Sequence, residues 1–238
     1  MADKNGAIAI IMARGGSKRV PRKNVRSFLG RPMIAWPVAH ALACDLFSHV
    51  IVSTDDNEIA DAATAAGGEV HCLRPASLSD DFAGTPEVLA YELQMFKSRE
   101  GYLPEACCCL YGTSALALPA SLATGYENFG IMGCELVMAV SSYAHPIERS
   151  LCMNEQGELY YRYPEFVEKR TQDLPISFHD IGLFYWVSPK AFLRNGGNDF
   201  TSLTKRGVVV SRFAALDIDT EEDWLNAEKL GGMLLGEE

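Results

Sequence analysis

A short basic stretch close to the N-terminus holds the residues of this chain that are best suited to bind an anion. The stretch "ARGGSKRVPRKN", at 13–24, contains no acidic residue, although the whole protein has a formal net charge of −10. Its basic residues are Arg14, Lys18, Arg19, Arg22 and Lys23. Gly15 and Gly16 let the backbone amides approach a ligand closely, and Ser17 and Asn24 add neutral donors. Amides together with Lys and Arg can hydrogen-bond and neutralise phosphate oxygens, so we predict a polyphosphate site here.

The spacing within this basic loop (13–24) differs from the two best-known phosphate-binding patterns. Neither G-x-x-x-x-G-K-[ST] nor G-x-G-x-x-G occurs in it, so a P-loop NTPase and a hydride-transfer enzyme both fit poorly. The acidic overall balance argues against nucleic-acid binding, which needs broad positive potential. On charge alone, a merely solvated basic face remains an alternative.

Two carboxylates near the C-terminus form the second candidate for chemistry. Asp217 and Asp219 are two residues apart in "DID", and in an extended segment such residues share a face. Adjacent carboxylates repel each other unless a cation lies between them, and Mg²⁺ binds through one or two carboxylates plus substrate phosphates. A capping box of Thr220 with Asp223 would explain the following residues but not this pair. We therefore predict a Mg²⁺ or Mn²⁺ site at Asp217 and Asp219.

The elements that must position these residues alternate between strand and helix. We predict strands at 7–12, 49–53, 69–73, 106–111, 135–143 and 207–212, and helices at 31–47, 57–67, 85–100 and, after a short strand, within 216–230. This order predicts an α/β fold with a doubly wound, mostly parallel, Rossmann-like sheet. Ligands of such folds bind beyond the carboxyl ends of the strands. The basic loop directly follows the first strand and should therefore lie in that crevice.

The length of 238 residues and the hydrophobic content of 48% predict one domain over 1–238. The alternation breaks at about 144–190, where "NEQGELYYRYPEF" has hairpin character and "HDIGLFYWVS" at 179–188 resembles a strand. We interpret 144–190 as an inserted subdomain that closes the site or makes a dimer contact.

Cysteine usage and hydropathy limit the cellular setting. The seven cysteines include the adjacent trio at 107–109, and no C-x-x-C pair occurs. A zinc site is therefore not expected, and we interpret the cysteines as small buried thiols. Free thiols indicate a reducing compartment. No apolar run approaches the ~20 residues that span a bilayer. We predict a cytoplasmic protein that does not enter a membrane.

The basic loop also resembles the signature of a known family. "IIMARGGSKRVPRKN" is similar to the A-R-x-x-S-K-x-x-P-x-K-N motif of the CMP-nonulosonate synthetases, also called acylneuraminate cytidylyltransferases. The matching positions are Ala13, Arg14, Ser17, Lys18, Pro21, Lys23 and Asn24. Further similar segments follow in family order: "VSTDD", "LRPASLSDDFAGT", "YGTS", "KRTQDLP", "HDIGLFYW" and "DIDTEEDW". The loop, the tyrosine of "YGTS" and "HDIGLFYW" most resemble the pseudaminic acid branch.

The resemblance implies roles for particular residues. Arg14 and Lys23 would stabilise the triphosphate and the charge on the reacting phosphoryl group, with Asp217 and Asp219 as metal ligands, and these four would be the catalytic residues. The nucleotide would be bound by Arg14, Gly15, Gly16, Ser17, Lys18, Asn24, Arg74, Thr85 and Tyr111. The sugar would be bound by Arg170, Gln172, His179 and Asp180. We interpret Arg19, Arg22 and Arg26 as solvent-facing, and Tyr185 and Trp186 as packing residues.

The resemblance further implies a nucleotidyltransferase fold, a homodimer and a reaction between two anions. CTP would transfer CMP to the anomeric C2 hydroxyl of a nine-carbon sugar acid, with pseudaminic acid favoured and sialic or legionaminic acid as alternatives. A non-catalytic nucleotide-sensing domain is the alternative from another class, although Lys18, Lys23 and both aspartates are present. The sequence identifies no general base. Gly112 and Ala115 replace prolines usual in the family, which should loosen the backbone beside the nucleotide.

Overall fold

Strands and helices alternate along most of the protein in a computed structural model that describes residues 6–80, 83–215 and 218–235. The strands are β1 (Ala7–Met12), β2 (Ser27–Phe28), β3 (Arg31–Pro32), β4 (Phe47–Ser53), β5 (Ala106–Tyr111), β6 (Leu136–Ser142), β7 (Leu151–Met153), β8 (Leu159–Tyr161), β9 (Phe178–Val187) and β10 (Lys205–Val209). The helices are α1 (Ala35–Ala43), α2 (Asn57–Ala65), α3 (Thr85–Glu100), α4 (Pro119–Phe129), α5 (Pro189–Arg194) and α6 (Glu221–Leu235).

Six strands form the central sheet in the order β10-β6-β9-β5-β1-β4. β1 pairs in parallel with both β4 and β5, and β10 pairs in parallel with β6, whereas β9 is antiparallel to its two neighbours. The predicted mostly parallel α/β sheet is confirmed. The chain leaves β1 toward β4 and later returns to its other side as β5, so β1 lies where the strand order reverses. Ligand crevices form at such switch points.

β1 occupies the middle of the core because its six residues are all apolar and all buried. Alternate side chains enter two layers: Ile8, Ile10 and Met12 pack toward α3 and α5, while Ala9 and Ile11 pack toward α1 and α4. The cysteines of β5 alternate in the same way, with Cys108 in one layer and its two neighbours in the other. All seven cysteines are free thiols; the trio at 107–109 is buried, as predicted, whereas Cys72 is exposed and the other three are partly exposed. A rigid, buried β1 thus holds the start of the basic loop in place.

Among the predicted elements, the strand at 69–73 and the helix at 31–47 differ most from the structure. Residues 69–73 do not form a strand, because the backbone pairs with β4 only around Glu69 and then turns away, bringing the Arg74 amide to the carbonyl of Thr54 at 2.7 Å. The predicted helix at 31–47 is shorter, since α1 begins at Ala35 after the β2–β3 hairpin. Pro37 lies in the first turn of α1, where no intrahelical N–H is needed.

The interruption near 144–190 has a different extent from the one predicted. β9, at 178–187, lies inside the central sheet between β5 and β6, and therefore does not belong to an inserted segment. An antiparallel strand can follow a long loop directly, without a crossover helix. The alternation of strands and helices in the sequence therefore did not indicate that β9 belongs to the sheet. The segment that lies outside the central sheet is residues 143–177, hereafter the arm. It contains the β7–β8 hairpin, as its turn-like sequence predicted.

Helix ends near the crevice are capped by polar side chains, and the capping box at 220–223 is the one predicted from the sequence. The side chain of Asp56 caps α2 by accepting from the Ile59 amide at 3.1 Å. Thr220 and Asp223 form the capping box of α6, in which the Asp223 amide donates to Thr220 Oγ1 at 3.2 Å. α6 then packs Trp224 against Phe28 at the β2–β3 hairpin. Within the described ranges, no helix is long and apolar enough to cross a membrane.

Candidate active site

The basic loop is attached to its surroundings at both ends. At its start, the Gly15 amide donates to Asp55 Oδ1 at 2.9 Å, and a Cβ on Gly15 would approach Asp56 Oδ2 to 2.7 Å. Farther along, Arg22 donates to Asp56 at 2.5 Å and also pairs with Glu58. Asn24 closes the loop on itself by donating from Nδ2 to the carbonyl of Arg14 at 2.9 Å. The loop is therefore fixed to the N-terminus of α2, and Arg22 has a structural partner rather than facing solvent alone.

Three neighbouring cavities open beyond the carboxyl end of β1, and Arg14 lines all of them. The basic cavity, about 310 Å³, is lined by Arg14, Gly16, Ser17, Lys18, Arg19, Lys23, Asn24 and Asp219. The Arg74 cavity, about 210 Å³, contains Arg74, Asp80, Thr85 and Tyr111 among apolar side chains. The large cavity, about 620 Å³, extends from Lys23 and Asn24 across Tyr111 and the 112–114 turn to His179, Asp180 and Tyr185. One ligand bound at Arg14 could thus extend in three directions.

The basic cavity has the composition of a polyphosphate site. Four cationic side chains line it, with Asp219 at one side. Asp219 Oδ1 is 2.7 Å from Arg19 Nη2 and 3.9 Å from Lys23 Nζ, and Lys23 also donates to the carbonyl of Ile218 at 2.5 Å. The segment before α6 therefore closes the cavity through ion pairs with the basic loop. Arg19 is solvent-facing as predicted, with 69% of its side chain exposed, and it also lines this cavity.

Arg74 is held in its cavity by a buried polar network. Only 7% of Arg74 is exposed, and its guanidinium donates to Ser53 Oγ at 3.3 Å and to Ser79 Oγ at 3.2 Å. Ser53 in turn donates to Glu92 Oε1 at 2.6 Å. Burial lowers the pKa of Arg74 and raises the pKa of Glu92, because desolvation disfavours both charged forms. A fixed, desolvated guanidinium suits recognition of a flat ring with carbonyl and nitrogen acceptors.

Tyr111 lies between the Arg74 cavity and the large cavity and lines both of them. Thr85 Oγ1 lies 2.7 Å from the phenol oxygen of Tyr111, and the rings of Tyr111 and Tyr185 are in edge contact with their centroids 6.2 Å apart. Tyr185 donates to Asp180 Oδ2 at 2.8 Å, and the Gly182 amide donates to Asp180 Oδ1 at 2.9 Å. Burial raises the pKa of Tyr111 to about 12, so both phenols remain protonated donors at neutral pH. His179 lies on the same strand and packs its ring against Tyr143.

Comparison with known proteins agrees with this geometry. Residues 8–128, about half of the chain, match the family model described as cytidylyltransferase. A pseudaminic acid cytidylyltransferase of Campylobacter jejuni is 35% identical over 217 residues, covering 91% of this chain and 92% of that protein. A CMP-N,N'-diacetyllegionaminic acid synthase of Legionella pneumophila is 30% identical over 231 residues, with 94% and 95% covered.

The chain belongs to the cytidylyltransferase family. The fold of this cytidylyltransferase is also similar to that of a CMP:2-keto-3-deoxy-manno-octonic acid synthetase solved in complex with CTP. The TM-score is 0.69, and the match covers 96% of this chain and 99% of that one. The sequences are only 16% identical, so this likeness concerns the fold. Both the family and the mostly parallel nucleotidyltransferase fold predicted from the sequence are confirmed.

The structure brings most of the predicted site residues of this cytidylyltransferase together. The predicted site residues that line at least one of the three cavities are Arg14, Gly16, Ser17, Lys18, Lys23, Asn24, Arg74, Thr85, Tyr111, His179, Asp180 and Asp219. Gly15 lies immediately beside them in the loop. Arg170 and Gln172 differ from the other predicted site residues, because both are exposed on the arm. Neither is among the described residues that line these three cavities. Arg170 pairs instead with Asp173 at 2.7 Å. Their role in sugar binding stays a prediction.

Of the two carboxylates predicted to bind a metal, only Asp219 can be compared with the structure. Asp217 lies outside the described residues, whereas Asp219 extends into the basic cavity beside Lys23. Within the part of the chain that the structure describes, no three His, Cys, Asp or Glu side chains form a metal cage. This donor set fits Mg²⁺, which commonly takes one or two carboxylates and completes its shell with water and phosphate oxygens. Asp217 and Asp219 would hold such an ion, which would neutralise phosphate charge.

Three side chains that line or support these cavities were not among the predicted site residues. Tyr185, interpreted as a packing residue, is buried in the core as predicted and also donates its hydroxyl to Asp180 in the large cavity. Glu92 and Ser53, which were not singled out, support Arg74. The available signal was their position: Ser53 ends a strand at the ligand edge, and Glu92 is an acidic residue on the largely buried side of α3. Neither signal specifies a partner without the tertiary structure.

Proposed function

We propose that this cytidylyltransferase transfers CMP from CTP to the anomeric C2 hydroxyl of a nonulosonic acid, with pseudaminic acid as its substrate. The observation that carries this proposal is the meeting of three chemically distinct cavities at Arg14. The basic cavity matches a triphosphate, the Arg74 cavity a pyrimidine, and the large cavity a polyhydroxylated sugar acid. The 35% identity to a pseudaminic acid cytidylyltransferase supports this choice of sugar.

The chemistry asked of the protein is alignment and charge neutralisation. The C2 oxygen attacks the α-phosphorus of CTP and loses its proton, a new O–P bond forms, and the bond to the bridging oxygen breaks to release pyrophosphate. Arg14 lines all three cavities and Lys23 lines the two larger ones, so both cations would contact the reacting phosphoryl group. Such preorganised charges stabilise the transition state most where negative charge develops.

We also propose that Mg²⁺ or Mn²⁺ is required and bound by Asp217 and Asp219. The placement of Asp219 in the basic cavity supports this, because a triphosphate there would meet its carboxylate. Asp219 now faces Arg19 and Lys23, and these cations also offset its repulsion of an incoming phosphate. Removing divalent ions with EDTA should abolish pyrophosphate release, and added Mg²⁺ or Mn²⁺ should restore it.

A homodimer is the assembly that we propose. The arm carries a two-stranded hairpin, and such a hairpin is marginal in water without further packing. Several of its apolar side chains are exposed, including Met153 at 66%, Leu159 at 59% and Ile176 at 75%. Contiguous exposed apolar surface marks an interaction site. A second copy that covers the arm would bury this surface.

A cytoplasmic location is the setting that we propose for the reaction. All seven cysteines are free, and the buried trio at 107–109 would be at risk of oxidation during folding in an oxidising compartment. Reducing conditions suit such a chain. Fractionation of cells that express the protein, with activity assayed in each fraction, tests this assignment.

The experiment that tests the reaction is pyrophosphate release with CTP and Mg²⁺, run in parallel with pseudaminic, legionaminic and N-acetylneuraminic acids. The Lys23→Ala variant, prepared identically, controls for contaminating phosphatases. Release with pseudaminic acid alone is the expected result. Legionaminic acid is the second candidate, because of the relative that is 30% identical over 94% of this chain. Silence with all three sugars, despite CTP binding, would overturn the proposal and favour a nucleotide-sensing domain.

A further inference from the structure

Two serine hydroxyls hold the Arg74 guanidinium, and each of them gives its own proton to another group. Nη1 of Arg74 donates to Ser53 Oγ at 3.3 Å, and Nε donates to Ser79 Oγ at 3.2 Å. Ser53 donates in turn to Glu92 Oε1 at 2.6 Å, and Ser79 donates to the carbonyl of Pro75 at 3.0 Å. A hydroxyl has one proton and two lone pairs, so both serines present lone pairs to the guanidinium.

These contacts determine how much of Arg74 a ligand can meet. A guanidinium carries five N–H donors and no acceptor. Among the described residues, Ser53 and Ser79 are its hydrogen-bond partners, so up to three donors remain for a ligand in the Arg74 cavity. The backbone is fixed as well, because the Arg74 amide donates to the carbonyl of Thr54 at 2.7 Å. Both ends of this residue are therefore attached to the end of β4.

Glu92 differs from the other acceptor in this network because it carries a carboxyl group. A hydrogen bond from a hydroxyl to a carboxylate is shorter and stronger than one between neutral groups, and the 2.6 Å contact of Ser53 with Glu92 has that length. Only 7% of Arg74 is exposed, so its charge is largely removed from water. A carboxylate one hydroxyl away partly compensates such a buried charge and keeps the Ser53 proton turned away from it.

We propose that Glu92, acting through the Ser53 hydroxyl, is a positioning residue for base recognition, because it holds Ser53 as the acceptor that orients Arg74. Neither Glu92 nor Ser53 is among the described residues that line the Arg74 cavity, so both act on a ligand only through the guanidinium. This inference rests on the proposed function, in which Arg74 binds the pyrimidine of CTP. It adds one residue from β4 and one from α3 to the recognition of the base.

The effect on the base can be separated from an effect on the phosphates. The backbone carbonyl of Ser53 accepts from the Ala13 amide at 3.0 Å and so holds the start of the basic loop. Ser53→Ala keeps this backbone bond and removes only the hydroxyl, whereas Glu92→Gln keeps the side-chain volume and removes the charge. Inorganic tripolyphosphate has no base, so its affinity reports on the basic cavity alone.

The experiment measures dissociation constants of CTP and of inorganic tripolyphosphate by calorimetry, without sugar acid, for the full-length protein and its variants. Ser53→Ala should raise the Kd for CTP about tenfold, the value of one hydrogen bond to a charged group, and Glu92→Gln about threefold to tenfold. In Ser53→Ala/Glu92→Gln the second substitution should add little, because Glu92 acts through Ser53. The Kd for tripolyphosphate should stay unchanged. Glu100→Gln, at the exposed end of α3, is the matched control.

Unchanged CTP affinity in both single variants would overturn the inference. An equal loss of affinity for tripolyphosphate would also overturn it, because the two residues would then support the basic loop and not Arg74. Fully additive effects of the two substitutions would show that Glu92 does not act through Ser53. If the melting temperature shows that Ser53→Ala does not fold, the CTP and tripolyphosphate affinities of Glu92→Gln decide alone.

Failure of the proposed function is read separately, as no pyrophosphate release by the wild-type protein with CTP and any of the three sugars. A loss of affinity in the variants that is confined to CTP supports the positioning role of Glu92 even in that case.

Discussion

Lys23 illustrates how one side chain can serve two cavities. Its Nζ donates to the carbonyl of Ile218 and lies 3.9 Å from Asp219 Oδ1, and only 20% of the side chain is exposed. The carbonyl contact holds the ammonium group at the border between the basic and the large cavities. Arg14, near the other end of the loop in the sequence, also lines both cavities. The α-phosphorus of a bound triphosphate would lie between these two charges.

We expect Lys23→Ala to lower kcat by about 10²- to 10³-fold, the usual cost of removing one preorganised charge or donor from a transition state. The KM for CTP should change much less, because Arg14 and Lys18 still line the basic cavity and would still bind the phosphates. Steady-state pyrophosphate release at varied CTP measures both constants. Lys190→Ala, which removes an exposed lysine of α5, serves as the control. Near wild-type turnover at saturating CTP would refute this role for Lys23.

At the scale of elements, the turn after β5 explains why glycine stands where the family commonly has proline. The Gly112 amide donates to the carbonyl of Met12 at 2.8 Å, a bond that proline cannot make. A Cβ at this position would also meet the Asn24 amide group and would lie 2.9 Å from Cβ of Ala13. The glycine therefore lets β1, the basic loop and this turn approach closely, rather than loosening the backbone as the sequence suggested.

Gly112→Ala should consequently displace Asn24, which closes the basic loop through the carbonyl of Arg14. We expect the KM for CTP to rise at least about tenfold, since one loop hydrogen bond and the position of Arg14 are both affected. Gly130→Ala is the matched control, because a Cβ there is 3.4 Å from its nearest neighbour and lies far along the chain from the cavities. Equal nucleotide affinity in the two variants would contradict the close-approach explanation.

The junction between the basic loop and α2 makes a prediction about stability and pH. Asp56 caps α2, and its hydrogen bond with Arg22 lowers the pKa of Asp56 below the ordinary value of 3.8. A lowered pKa contributes stability that is present above the unfolded-state pKa and is lost as the pH falls through the folded-state value. Asp56→Ala should lower the free energy of unfolding by about 1 kcal/mol at pH 7 through the lost cap.

Urea unfolding of wild-type and Asp56→Ala protein over a range of pH measures this difference. The difference in the free energy of unfolding between the two proteins should stay nearly constant from neutral pH down to about 5. It should decrease only below the ordinary pKa of 3.8. Asp61→Ala, within the same helix but exposed, should show no comparable loss. If this difference in the free energy of unfolding disappeared between pH 7 and pH 5, a titratable group other than Asp56 would dominate the pH dependence.

For the whole molecule, the arm predicts the oligomeric state. Met153 and Leu159 are opposite each other in the β7–β8 register, so charges at both positions would disrupt one exposed apolar face. Light scattering should give twice the chain mass of 26.1 kDa for the wild-type protein and a single mass for Met153→Glu/Leu159→Glu. Met132→Glu, at a position 97% exposed outside the arm, should remain dimeric. A wild-type monomer, or a double variant that stays dimeric, would disprove an arm-mediated dimer.

The amino-acid sequence alone determined the family, the parallel sheet and most of the polar side chains that line the three cavities. These features depend on local patterns: the all-apolar β1, the alternation of strands and helices, and the fixed spacing of Arg14, Ser17, Lys18 and Lys23. The residues of each pattern lie close together in the sequence, so the pattern can be recognised without knowledge of contacts between distant segments.

Only the tertiary structure decided how residues far apart in the chain act together. β9 enters the centre of the sheet because two antiparallel partners bury both of its edges, which a run of apolar residues cannot specify. Glu92 supports Arg74 through Ser53, and Thr85 lies within hydrogen-bonding distance of Tyr111, because strands and helices from distant segments meet at one edge. A hydrogen bond depends on distances of a few tenths of an ångström and on which group holds the proton. Those quantities exist only once the chain has folded.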